Sequence, residues 1–142
     1  MNDKLQSVKA LLHGIVLDDE RYLTLRHLLE RQRLCIIKRD CDELASVNDQ
    51  ITDSYEQLKE GTRLRRTLLT QLGVTLDKNG MEQVFSWLPA EQKRRAQGAW
   101  KQLEKRVSGC KAWNEKNGEL LTMQNAFAQS FLGTEPDFLY HP

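Results

Sequence analysis

Apolar residues recur three and four positions apart along almost the whole chain, the spacing that winds a stripe down one face of an α-helix. Leu5, Val8, Leu12, Ile15 and Tyr22 form the first stripe, and Leu25, Leu29 and Ile36 continue it after a phase shift. With no proline in this segment, the spacing predicts one helix over 4–38, a rod roughly 50 Å long at about 1.5 Å per residue. Asp40 interrupts the pattern. Asp40 and Glu43 have the offset of an N-cap and its N3 carboxylate, so a second helix is predicted over 41–72. Its stripe is Leu44, Val47, Ile51, Tyr55 and Leu58, with a skip at Gly61 and Thr62 before Leu64, Leu68 and Leu72. Gly73 then stands where a C′ glycine belongs. The link between the two helices is only a few residues, which makes them antiparallel neighbours.

The stretch GVTLDKNG, residues 73–80, is the least helical, and Asn79-Gly80 reads as a turn. Met81, Val84, Phe85 and Leu88 mark a short helix over 81–88. Pro89 suits the start of the next helix, where its missing N–H would lack a partner anyway. That helix is predicted over 90–132, up to Gly133. Its seam reads Ala96, Trp100, Leu103, Val107, Cys110, Asn114, Asn117, Leu121, Gln124, Ala128 and Phe131, in steps of four and three as in a coiled coil. Trp113, Leu120 and Phe127 add a flanking row in its last part. The expected fold class is all-α: an elongated antiparallel helical bundle or coiled-coil hairpin, three long helices plus one short one. In the tail, 134–142, Pro136 prevents helical continuation, and Phe138, Leu139 and Tyr140 are apolar enough either to fold back onto the bundle or to dock elsewhere.

Composition sharpens this picture. A chain of 142 residues suggests one domain. Only 39% of it is hydrophobic, which favours narrow apolar seams over a thick core. With 21 basic and 20 acidic residues interleaved, the formal net charge of +1 provides no bulk attraction to nucleic acid or an anionic membrane. Lys93, Arg94 and Arg95, with Arg63, Arg65 and Arg66, read as solvated helix faces; a nucleic-acid binder using them is the rival reading. No apolar run approaches the ~18 residues of a membrane span, and the N-terminus lacks a signal-peptide cleavage site, so a cytoplasmic location is expected. Cys35, Cys41 and Cys110 are odd in number and match no metal spacing, and they read as free, partly buried thiols.

Candidate chemistry is sparse. There is no phosphate loop, no nucleophile elbow and no Glu-x-x-His pair of the kind that builds di-iron sites in bundles. His13 and His27 are ordinary helix residues, and the run Asp18-Asp19-Glu20 fans its carboxylates around a helix. No enzyme activity, metal or cofactor is expected. The unusual feature is WNEKNGELL, residues 113–121, which places two asparagines and a glycine inside a long helix, although Gly costs roughly 1 kcal/mol there against Ala. Two readings stand. A buried Asn fixes the register of a helical seam, with Gly118 letting a neighbouring backbone approach. Alternatively, the notch belongs to a groove that another helix enters, floored by Leu120, Leu121, Phe127 and Phe131.

The run NEKNGELL resembles the Asn-x-x-Asn-Gly-x-Leu-Leu signature of FlgN-type flagellar export chaperones, carried by Asn114, Asn117, Gly118, Leu120 and Leu121. The layout is similar over nearly the whole chain: a leading helix ending in IIKRDCDEL, a second ending in RLRRTLLTQLG, and a long last helix with the signature. The family's tail often has a Tyr-Gly type ending, where this chain has FLYHP, so nothing is carried over for the tail. The resemblance implies a cytoplasmic chaperone of the type III flagellar export system. It would bind the C-terminal helices of the hook-filament junction proteins FlgK and FlgL, prevent their early assembly and deliver them to the export gate. The expected client groove is Val107, Cys110, Trp113, Asn117, Leu120, Leu121, Gln124, Phe127 and Phe131, residues that serve equally well as bundle core. The alternative is a homo-oligomeric structural coiled-coil adaptor, since the seam of the last helix could pair with a second copy as a homodimer.

Overall fold

The computed structural model describes the backbone of residues 2–132 and the side chains of residues 3–126. It contains four helices, α1 (Asn2–Lys38), α2 (Cys41–Gln71), α3 (Lys78–Ser86) and α4 (Ala90–Leu132), and no strand among the described residues. The fold is the all-α bundle of three long helices and one short one that the spacing predicts. The predicted tail, 134–142, lies outside the described residues.

Local chemistry sets the corners. The chain leaves α1 through Arg39, whose φ of 57° is left-handed. Its N–H reaches the carbonyl of Ile36 at 3.2 Å, and the Asp40 N–H reaches that of Cys35 at 3.0 Å, the paired bonds of a Schellman turn. Asp40 is at once the last residue of that turn and the N-cap of α2, accepting from the Glu43 N–H at 3.1 Å. Only half of the capping box forms. The Asp40 N–H is already taken by Cys35, so the Glu43 carboxylate turns instead to Arg31 at 2.7 Å. At the other end of α2, Gly73 takes φ 75° and repeats the Schellman pattern, its N–H on Thr70 and that of Val74 on Leu69. The short helix begins three residues before its apolar stripe, because Asp77 caps it and accepts from the Gly80 N–H at 3.0 Å. Asn79-Gly80 therefore lies in the first turn of α3 and is not a separate turn.

α1 is the shared helix, packed against both α2 and α4, while α2 and α4 make little direct backbone approach to each other. Contacts between α1 and α2 run in opposite directions: Ser7 meets Gln71, Asp18 meets Arg65, and Gln32 meets Asn48. α4 runs parallel to α1. Tyr22–Cys110, Leu29–Asn117 and Ile36–Gln124 are all separated by 88 residues. Each step on either helix is one heptad, so the pair keeps a coiled-coil register. α3 closes the lower end with Met81, Val84 and Phe85, all essentially buried, against Val8, Leu11, Ile15, Leu68, Leu69, Ala96 and Leu103.

The core is divided. A second cluster joins Leu25, Leu28, Leu29, Cys35, Val47, Ile51, Leu58 and Cys110 at the upper end. Between the two lies a polar belt. Asp18, only 4% exposed, accepts from Arg65 of α2 at 3.0 Å and lies 3.6 Å from Arg21. The next residue, Asp19, faces the other way, accepting from Arg106 at 2.7 Å and Gln102 at 3.0 Å on α4. Arg65 also stacks over Trp100, 5.4 Å from the ring centroid. Adjacent carboxylates thus fan toward different helices, each to its own guanidinium. Burial pushes the Asp18 carboxyl above the ordinary Asp range, partly offset by Arg65 and Arg21.

This belt corrects two stripe assignments. On α1 the inward positions are Leu11 and Asp18, while Leu12 is half-buried and Leu5 is exposed. On α2 the stripe does not skip. It runs Ile51, Ser54, Leu58, Gly61, Arg65 and Leu68, leaving Tyr55 and Leu64 exposed. Gly61 holds an inward position because a Cβ there would lie 2.2 Å from Asp18 Oδ1. The Asp18 Oδ1 atom makes no hydrogen bond within the chain. It borders a cavity of about 30 Å³ lined by Gly14, Leu17, Arg21, Gly61 and Arg65 among others, room for a water molecule beside a polar group.

Gly61→Ala is expected to destabilise the protein by about 1–3 kcal/mol through overpacking. Gly14→Ala, whose new Cβ would meet nothing within 4 Å, is expected to stabilise it by up to about 1 kcal/mol through helix propensity. Denaturant melts of the two variants check the contrast. A second expectation concerns pH. Hydrogen bonds from Thr75 and from the Gly80 backbone hold the Asp77 carboxyl below its ordinary value of 3.8. A carboxylate depressed in the folded state stabilises it above the unfolded pKa, and that stability is lost as pH falls through the folded pKa. Fluorescence of Trp87, the C-cap of α3, should report loosening of α3 below about pH 4, and Asp77→Asn should remove that acid dependence.

Candidate functional site

The WNEKNGELL segment lies on α4 beside the upper half of α1, above the polar belt. Its two asparagines do different things. Asn117 is 1% exposed. Its Nδ2 donates to the Leu29 carbonyl at 2.8 Å and to Gln32 Oε1 at 2.9 Å. Gln32 in turn donates to Asn48 Oδ1 at 2.8 Å, so one chain of amides joins α4, α1 and α2. Asn114 is exposed, and so are Gly118 and Leu121, the last at 39%. The inward seam of α4 therefore passes through Cys110, Trp113, Asn117, Leu120 and Gln124; the predicted seam is corrected at Asn114 and Leu121, which face outward, and Trp113 and Leu120 of the predicted flanking row take the inward side. No neighbouring backbone approaches Gly118, since nothing lies within 4 Å of its would-be Cβ. The expectation of a close approach there is corrected.

The other predicted site residues distribute as follows. Val107 is half-buried and packs on the lower cluster. Cys110 is buried, and its thiol donates to the Tyr22 carbonyl at 3.3 Å. Burial pushes that thiol above its ordinary value, with Arg26 and Arg106 partly opposing, so the S–H persists as a donor. Trp113 is half-buried against the upper cluster. Leu120 is half-buried. Gln124, also half-buried, donates to the Ile36 carbonyl at 2.9 Å. Phe127 and Phe131 belong to the α4 helix, but their side chains lie outside the described residues.

Three successive heptad positions of α4 thus present a donor, from Cys110, Asn117 and Gln124, to backbone carbonyls of α1. Asn117 has a nearly balanced free-energy contribution. Two hydrogen bonds give about 0.5–1.5 kcal/mol each, while its Oδ1, buried with no partner in the chain, costs about 1–3 kcal/mol. A well-fitted Leu there would add about 1.5–3 kcal/mol of apolar burial. The seam fixes register at the expense of stability. The α1 partners Leu29, Gln32 and Ile36 are site residues that spacing on α4 alone could not find. The signal lies in aligning the two helices at the constant offset, which also sets Ala96 against Val8 and Leu103 against Ile15.

The seam of α4 is filled by α1 of the same chain. Half of the six residues of the basic clusters are paired: Arg63 with Glu60, Arg65 with Asp18, and Arg95 with Glu91. His13 is exposed, and His27 lies 3.9 Å from Glu30. The three cysteines are free, Cys35 and Cys110 buried and Cys41 exposed. Among the described residues no cluster of three or more His, Cys, Asp or Glu side chains could hold a metal. No described helix is long and apolar enough to cross a membrane.

The fold and the site together define an all-helical protein in which a long final helix, bearing the Asn-x-x-Asn-Gly-x-Leu-Leu run, lies parallel on the first. The chain matches the FlgN protein family over residues 1–133 and belongs to it. The family is one of flagellar export chaperones. Neither a curated protein nor a solved structure matches the chain.

Proposed function

We propose that this chain is a cytoplasmic chaperone of the type III flagellar export system. It binds the C-terminal helices of the hook-filament junction proteins FlgK and FlgL, keeps them from assembling early, and hands them to the export gate. The observation that carries this reading is the match to the FlgN family over residues 1–133, with the signature on α4; the candidate client surface is the set of exposed apolar side chains at the upper end of the α1–α4 pair. Leu34 and Ile37 near the end of α1 are 54% exposed, and Leu121 and Met123 of α4 are 39% and 68% exposed. Exposed large apolar side chains also occur toward the other end, at Leu5, Val16, Leu64, Leu76 and Trp87; the upper four are distinguished by sharing their end with the α4 signature.

The client chemistry suits that surface. A segment destined for a coiled-coil assembly exposes an apolar stripe before its partners are present, and a facing helical surface buries it. Ordering the client offsets several kcal/mol of the contact energy, which keeps the complex reversible for delivery. Titration calorimetry with a peptide from the C-terminal helical region of such a junction protein is expected to give a 1:1 complex, micromolar or tighter, with a negative heat-capacity change. No heat and no co-elution with the folded protein would sink the reading. Leu121→Ser with Met123→Ser should weaken binding at least about tenfold with little change in melting, from loss of exposed apolar contacts. Trp113→Ala should lower the melting temperature, because that ring packs on the upper cluster.

A further inference from the structure

A groove lies at mid-height on the α2 side of the molecule, away from the α4 signature. The outer helices make little direct approach to each other, and beside α2 this leaves an open volume of about 570 Å³. Half-buried Tyr22 of α1 lies at its base, and α4 meets the same residue through the Cys110 thiol. Tyr55, Leu58 and Thr62 of α2 form a wall. Next to them Arg65 stacks over Trp100 and bridges α2 to α4. Lys59, Arg63 and Arg66 complete the lining, and no described carboxylate joins them. Lys59 and Arg63 each pair with a glutamate one turn back, Glu56 and Glu60, outside the groove. Those pairs are exposed on both sides, so either cation exchanges its partner at little cost. Arg66 makes no ion pair among the described residues. The groove at the lower end differs, since Asp3 stands there beside Lys4.

We infer that this groove docks an acidic amphipathic helix of another protein, with an apolar spine laid on Tyr55 and Leu58 and a row of carboxylates facing Lys59, Arg63 and Arg66. The spacing selects a helix. The three cations stand at i, i+4 and i+7 on α2, roughly 10 Å from first to last at 1.5 Å per residue. A facing helix repeats its own carboxylates at the same steps. Tyr55, Leu58 and Thr62 stand at i, i+3 and i+7, the surface that the apolar spine of such a helix covers. The phenols add donors: burial holds both Tyr22 and Tyr55 above the ordinary tyrosine value, so their O–H groups persist and can donate to a carboxylate. A nucleic acid fits less well, because a formal net charge of +1 leaves no broad basic field to track a phosphate backbone. The inference goes beyond the client-binding reading above and does not rest on it. Leu34 of the candidate client surface is twelve residues from Tyr22 along α1, roughly 18 Å, so a short helix in the groove leaves that surface free.

The test uses the full chain labelled with 3-fluorotyrosine and a hydrocarbon-stapled helical peptide that carries Leu at i, i+4 and i+7 and Glu in the adjoining row. The peptide should bind 1:1 with an affinity that falls as salt rises. It should shift the fluorine resonances of Tyr22 and Tyr55, assigned with Tyr22→Phe and Tyr55→Phe. The same peptide with Gln for each Glu should bind at least tenfold more weakly. So should the chain carrying Arg63→Glu with Arg66→Glu, at little change in melting temperature, since both side chains are exposed. Lys59→Glu with Arg66→Glu is the second pair, should the first fold poorly. A stapled peptide of the same composition with its Glu residues scattered around the helix should also bind at least tenfold more weakly. No binding of the acidic peptide, equal binding of the Gln or scattered peptide, or equal binding by the charge-reversed chain overturns the inference. A single-stranded RNA oligonucleotide held more tightly than the peptide, and released by the same charge reversals, also overturns it and assigns the groove to nucleic acid.

Discussion

One helix has to satisfy two neighbours at once, and the rest of the structure follows from how α1 does so. It meets α2 antiparallel through one face and α4 parallel through another, with little direct approach between the outer two. Every side chain on α1 is therefore committed by angle to one partner or to solvent. The constant separation of 88 residues between α1 and α4 contacts expresses that constraint. A one-residue slip would carry Cys110, Asn117 and Gln124 off their carbonyls and break all three contacts together.

The polar belt is the second consequence. Asp18 and Asp19 are adjacent, and their separation of roughly 100° around the helix axis sends one carboxylate to α2 and the other to α4. A purely apolar belt would pack as well, but it would tolerate sliding; charged pairs tie each outer helix to one height on α1. Gly61 is part of the same device, since only a residue without a Cβ leaves room for the Asp18 carboxylate. The belt also separates a lower core, closed by α3, from an upper one roofed by a polar seam.

Much of the fold is legible in the chain, for reasons that can be named. Helix lengths follow from unbroken three-four spacing, and the corners from Asp40 and Gly73, whose capping chemistry is local. The misreadings cluster where tertiary contacts override that spacing. Asp18 occupies an inward position because Arg65 waits opposite, so a stripe drawn through apolar residues alone drifts to Leu12. Gly61 reads as a gap and is a fitted contact. Asn114 and Asn117 are one step apart in a three-four register, and nothing local says which one turns inward; the carbonyl of Leu29 decides it. Asp77 starts α3 early because its cap precedes the apolar residues. The parallel partnership of α1 and α4 could not come from either helix alone, since each shows only its own heptads.

The claim at the centre of this account is that α4 lies parallel on α1 in one fixed register, set by Cys110, Asn117 and Gln124 on the carbonyls of Tyr22, Leu29 and Ile36. Distance measurement by pulsed electron resonance addresses it directly, with spin labels introduced through unnatural amino acids at His27 on α1 and Glu115 on α4, exposed positions at the same level. The account predicts one short, narrowly distributed separation. A long separation, or a distribution spread over several, would contradict it.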